Sequence, residues 1–135
     1  MARPPAKELT ERELEVMQVF WRNEKPLSVA DVKDELARQG LAAAYTTVAT
    51  LVRILADKGF LNQLNDRRPF VFQPAKSYEE VSSKLLSDLV DRVFQGSREQ
   101  LLLRLVDQHR LSAKERAALE RILHQQPLGK AGKHE

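Results

Sequence analysis

The stretch from Tyr45 to Pro74, YTTVATLVRILADKGFLNQLNDRRPFVFQP, constrains the fold of this chain more than any other. Val48, Leu51, Val52 and Leu55 recur at spacings of three and four, which predicts a helix with one inward stripe, beginning around Ala43 or Ala44. Thr46, Thr47, Thr50 and Arg53 then fall on the opposite face. Lys58 followed by Gly59 is a fitting C-terminal stop. Phe60–Leu64 and Phe70–Gln73 read as two strands around Asn65-Asp-Arg-Arg68. Pro69 has no N–H to give a ladder, which predicts an edge position for the second strand.

Upstream, Thr10-Glu-Arg-Glu13 has the form of a capping box, flanked by Leu9 and Leu14 as a hydrophobic staple. The helix it opens is expected to bury Leu14, Val16, Met17, Phe20 and Trp21. Pro26 and Leu27 suit a short extended link. Ser28 with Asp31 opens a second helix carrying Val32, Leu36 and Ala37 and ending near Gly40. Downstream, Ser77 with Glu80, Ser97 with Gln100 and Ser112 with Glu115 predict three further helices. Their apolar residues include Leu85, Leu89 and Val93, then Leu101, Leu102 and Leu105, then Leu119, Ile122 and Leu123. About fifty residues of short helix rarely stabilise themselves, and Leu101-Leu102-Leu103 points apolar side chains in several directions. This region is therefore expected to pair with a second copy, the alternative being that it folds back on the N-terminal part. The expected division is 1–76, 77–126 and a polar, disordered tail at 127–135.

Composition narrows the function. Hydrophobic residues make up 42% and charged residues 30%, as expected of a soluble globular chain. Cysteine is absent, which excludes disulfides, thiol catalysis and thiolate metal sites. MARPPAKELTE lacks the apolar core of a signal peptide, and no apolar run approaches the ~18 residues of a membrane span, so a cytoplasmic location is expected. The net charge of +3 is modest but localised. Residues 41–76 hold five basic and two acidic side chains, whereas 1–40 hold seven and eight, and 77–126 eight of each. The excess lies on the threonine-faced helix and the hairpin.

That placement matters because a helix that reads the major groove needs short side chains. Threonine offers a hydroxyl for hydrogen bonding and a methyl that packs on a thymine methyl. Thr46, Thr47 and Thr50 meet that need, and Tyr45 at the helix start is placed either to bond a phosphate or to pack there. Arg67 and Arg68 at a hairpin tip suit phosphate or minor-groove contact. Each feature has a bland counterpart, since surface threonines and turn arginines are common. Adjacent in sequence, however, they form the two reading elements of a winged helix-turn-helix. The fold class expected is mainly α with a small β-hairpin wing: an N-terminal winged helix-turn-helix followed by a three-helix dimerisation region. His109, His124 and His134 show no metal-ligand spacing, so no metal and no cofactor are expected. No glycine-rich phosphate loop or nucleophile elbow is present, and an enzyme is not expected. Two other readings remain: a winged-helix regulator sensing a small ligand in its dimer region, and a winged helix used only for protein contacts.

LTERELEVMQVFW, the YTTVATL helix ending DKG, and RRPFVFQP together resemble the penicillinase-repressor (BlaI/MecI-type) family of bacterial transcription regulators, over roughly Leu9 to Gln125. The resemblance implies a homodimer with a winged helix on each subunit and an interlocked C-terminal helical region. It implies repression of a promoter dyad of double-stranded DNA, often built on TACA/TGTA half-sites. Family contacts carry over onto Thr46, Thr47, Thr50 and Arg68, and Arg53 matches a commonly basic position. Ile54 stands where the family usually has arginine, and Arg67 replaces the usual wing glycine. In the resistance regulators a membrane sensor triggers cleavage at an asparagine–phenylalanine bond. The corresponding bond here is Arg104–Leu105. The copper-responsive relatives use a cysteine-rich C-terminal site, which this chain lacks.

Overall fold

The computed structural model describes residues 8–108 and 111–125. The tail expected at 127–135, with His109 and His134, lies outside the described residues. The order is α1 (Glu11–Arg22), β1 (Leu27–Ser28), α2 (Val29–Arg38), α3 (Tyr45–Asp57), β2 (Leu61–Gln63), β3 (Val71–Pro74), α4 (Tyr78–Val93), α5 (Arg98–Gln108) and α6 (Ala113–Gln125). The helices and small sheet expected from the sequence are present, so the chain is mainly α with an N-terminal winged helix. By packing it divides into two compact units, one up to Lys84 and one from Leu85. The division falls inside α4 rather than before it, because Val81 in the second turn of α4 belongs to the N-terminal core.

In that first unit, α1, α2 and α3 pack on one another while α1 covers β3 and α3 covers β2. Val16, Met17, Val19 and Phe20 of α1 meet Val32 and Leu36 of α2 and Val48, Val52 and Leu55 of α3 in one core. Leu14 and Trp21 are only half-buried, and Val19, not foreseen, takes a core position. The boxes at Thr10 and Ser28 form as read, the second with bonds of 3.0 and 3.2 Å between Ser28 and Asp31. Gly59, at φ +89, ends α3: its N–H reaches the Ala56 carbonyl and that of Phe60 reaches Leu55 at 2.9 Å. The hairpin therefore leaves directly from the end of α3.

The sheet corrects the reading in one respect. It has three strands in the order β1-β3-β2, all antiparallel, so the second hairpin strand is central rather than an edge. Leu27 pairs with Phe72, which turns the expected extended link into a strand. Pro69 precedes β3 instead of heading it, so no ladder bond is lost there. In the second unit, Gln95 and Gly96 have positive φ of 54° and 84°, and the Gly96 N–H closes α4 on the Val90 carbonyl at 2.9 Å.

Among the described residues, one charged side chain is buried in the first unit. Glu13 is 4% exposed, and its Oε1 accepts from the Thr10 N–H at 3.0 Å and from Lys58 Nζ at 2.8 Å. Lys58 Nζ also donates to the Glu8 carbonyl at 2.9 Å. The start of α1 is thus pinned to the end of α3. Burial pushes the Glu13 carboxyl upward, but the bonds from Lys58 and Thr10 outweigh it and hold the group below its ordinary value of 4.5. A depressed carboxyl stabilises the fold when ionised; that contribution is complete above the ordinary value and is lost as pH falls through the folded one. Lys58→Ala is expected to cost about 2 kcal/mol at neutral pH, because a buried carboxylate loses its cation. The melting-temperature gap between wild type and Glu13→Gln should close as pH is lowered below 4.5. A gap that stays constant with pH would contradict the pairing.

Candidate nucleic-acid interface

Helix α3 is assembled as a two-faced element. Val48, Val52 and Leu55 are almost completely buried, and Leu51 is half-buried beside them. Thr46, Thr47, Thr50 and Arg53 are exposed, as is Tyr45 at the first helical position, with 53% of its surface open. Ile54, in the position where arginine was expected, is half-buried. The residues read from the sequence as one surface thus do share one helix face.

The N-terminus of this helix differs from those of α1 and α2. Its N-cap is Ala44, which has no side chain to bond the first-turn N–H groups, and the first turn holds no acidic residue. The first turns of α1 and α2 are closed by capping boxes and carry carboxylates. At α3 the open N–H groups and the positive end of the helix dipole favour an anion such as a phosphate.

The loop between β2 and β3 carries Arg67 and Arg68, both exposed. Arg53, Arg67 and Arg68 form no ion pair among the described residues, so their charges are not spent internally. The Arg68 guanidinium carbon lies 5.4 Å from the centre of the Phe70 ring, a cation–π distance that braces the side chain. Sequence reasoning missed this bracing and missed Asn65, whose carboxamide bonds two backbone carbonyls of the loop and the first N–H of β3. The signal available was an asparagine in a turn, a residue able to donate and accept at once.

The linker after β3 is tied to α1. Trp21 Nε1 donates to the Lys76 carbonyl at 3.0 Å, and its ring meets Tyr78 edge-on at 5.4 Å between centres. Trp21 is therefore a structural anchor. Among the described residues no helix is long and apolar enough to cross a membrane.

A bare, threonine-faced helix with an open N-terminus and an arginine-tipped hairpin define a winged-helix DNA-binding regulator. The family described as penicillinase repressor matches residues 9–125, and the chain belongs to it. It is 35% identical over 117 residues to the transcriptional regulator BlaI of Mycobacterium tuberculosis, covering 85% of this chain and 82% of that protein. It is 26% identical over 117 residues to the methicillin resistance regulatory protein MecI of Staphylococcus aureus, covering 87% and 94%. A solution structure of Bacillus licheniformis BlaI, in monomeric form in complex with the blaP half-operator, matches at 29% identity and TM-score 0.45, covering 59% of this chain and 93% of that one. The family is one of transcriptional repressors, not enzymes.

Because the threonines are exposed and make no capping bond, the structure does not need them. Replacing Thr46, Thr47 and Thr50 together by alanine should leave the melting temperature unchanged or raise it, alanine being the better helix former by up to ~0.7 kcal/mol per residue. A marked fall in melting temperature would show that this face is part of the packing.

Proposed function

We propose that this protein is a homodimeric, cytoplasmic repressor that occupies a promoter dyad through α3 and the wing. The observation that carries the reading is the exposed Thr46, Thr47, Thr50 and Arg53 face of α3, open at its N-terminus, in a member of this family. Thr47 and Thr50 read base edges in the major groove, Tyr45, Arg53 and the first-turn N–H groups hold phosphates, and Arg67 and Arg68 reach the backbone alongside. A TACA/TGTA dyad supplies thymine methyls suited to threonine.

The C-terminal unit supports pairing. Leu85, Leu89, Val93, Leu102, Leu105, Leu119, Ile122 and Leu123 are exposed in the single chain, while Leu101 is half-buried and Val90 is buried. So much apolar surface on three helices is an interface awaiting a partner. A groove lined by Leu86, Val90, Leu101 and Leu102, with Ser87, Asp91, Gly96 and Arg98 beside them, is open to solvent. That suits side chains from a second copy better than a small ligand, which an enclosing pocket would bury. Release by an upstream signal, such as a membrane sensor and protease pathway, completes the reading. Arg104–Leu105 is the bond in the position to be cut; it lies within α5 and is exposed at both residues. A protease that takes extended substrate would have to unwind that turn first.

The test is fluorescence anisotropy with operator duplexes. Thr47→Ala is expected to reduce discrimination against mismatched half-sites by ~1 kcal/mol. Equal losses on matched and mismatched sites would reduce Thr47 to a positioning role. Leu102→Glu should convert a sedimenting dimer to monomers and remove the avidity of dyad binding. A wild-type chain that sediments as a monomer and binds its operator one per dyad would overturn the dimer.

A further inference from the structure

The wing loop carries more order than a chain of exposed polar residues would generate unaided. After Gln63 the ladder closes with Leu64 N–H to the Val71 carbonyl at 2.9 Å. Beyond that bond, from Asn65 to Pro69, the loop is held mainly by the side chain of Asn65. Asn65 Nδ2 donates to the Arg67 carbonyl at 3.1 Å and to the Pro69 carbonyl at 3.1 Å. Its Oδ1 accepts from the Val71 N–H at 3.0 Å. Gln63 Nε2 in turn donates to the Asn65 carbonyl at 2.6 Å, tying the backbone of Asn65 to β2. The pattern demands a carboxamide: two donors and one acceptor on a short stem. Aspartate could satisfy only the acceptor half, and serine or alanine could not span the loop. The carbonyls engaged on Nδ2 belong to Arg67 and to Pro69, the residues on either side of Arg68. Arg68 itself lies over Phe70. Backbone and side chain of the wing arginine are therefore both held before any ligand arrives.

We propose that Asn65 is the positioning residue of the wing, presetting Arg67 and Arg68 so that phosphate contact requires little further ordering. Asn65 does not itself touch DNA. Its effect is exerted through the arginines, by removing the entropy they would otherwise lose on binding. The inference rests on the reading of the wing as a DNA contact, and it assigns a determinant of affinity that lies outside the contact surface.

The experiment uses the full chain in four forms: wild type, Asn65→Ala, Arg68→Ala and the double variant, titrated on operator and scrambled duplexes at several salt concentrations. Arg68→Ala should lower the salt slope by about one unit. Asn65→Ala should weaken binding about three- to tenfold on both duplexes in the wild-type background. In the Arg68→Ala background it should cost much less, and amide exchange at Val71 should accelerate while the melting temperature stays within a degree or two. If Arg68→Ala lowers the slope but Asn65→Ala costs nothing, or costs the same in both backgrounds, the positioning role is wrong while the wing contact stands. If Arg68→Ala leaves the slope unchanged, the wing reading itself fails and the inference falls with it.

Discussion

Everything in the N-terminal unit depends on burying one side of α3 while leaving the other side bare. Val48, Val52 and Leu55 are sealed against α1 and α2, which sets the rotation of the helix about its axis. A helix fixed in rotation presents a fixed outer face, and here that face is threonine and arginine. Roughly 1.5–3 kcal/mol for each fully buried aliphatic side chain makes this stripe the dominant local term. The Glu13–Lys58 pair adds direction rather than bulk energy. It joins the start of α1 to the end of α3, so sliding of α3 along its axis would pull a carboxylate away from its cation in a dry site.

From that anchor the wing follows mechanically. Gly59 reverses the chain at the end of α3, and Phe60 and Leu61 return into the core. β3 runs between β1 and β2, so the wing base is held on both sides although its tip is exposed. The tip needs its own support, and Asn65 and Phe70 provide it. The same logic separates the two units. The first closes its core with Val81, whereas the second leaves most of its described leucines uncovered, the observation on which the proposed pairing rests.

Much of this was legible in the sequence because it was written in local chemistry. The boxes at Thr10 and Ser28, the glycine after Lys58 and the three- and four-residue spacing in α3 depend on neighbours a turn away. The exposed threonine face follows from the same spacing. What was not legible depends on residues far apart in the chain. Glu13 looked like half of a capping box, and only the fold brings Lys58, forty-five positions later, to the same carboxylate oxygen that Thr10 bonds. Pro26 and Leu27 looked like a link and Ser28 like a helix cap, since two residues carry no strand period and only pairing with β3 makes Leu27–Ser28 a strand. Pro69 looked like an edge marker because strand order is set by tertiary pairing. Asn65 looked like an ordinary turn residue, because the sequence does not reveal which backbone groups a turn leaves unpaired.

The most direct measurement is a fluorescence-anisotropy titration of the full chain on DNA from immediately upstream of its own gene, against scrambled duplex of equal length, at several salt concentrations. The expected result is tight binding selective for a dyad, two chains per site, with affinity falling steeply as salt rises. Weak binding that is equal on both duplexes would contradict it, because the threonine face of α3 would then read nothing.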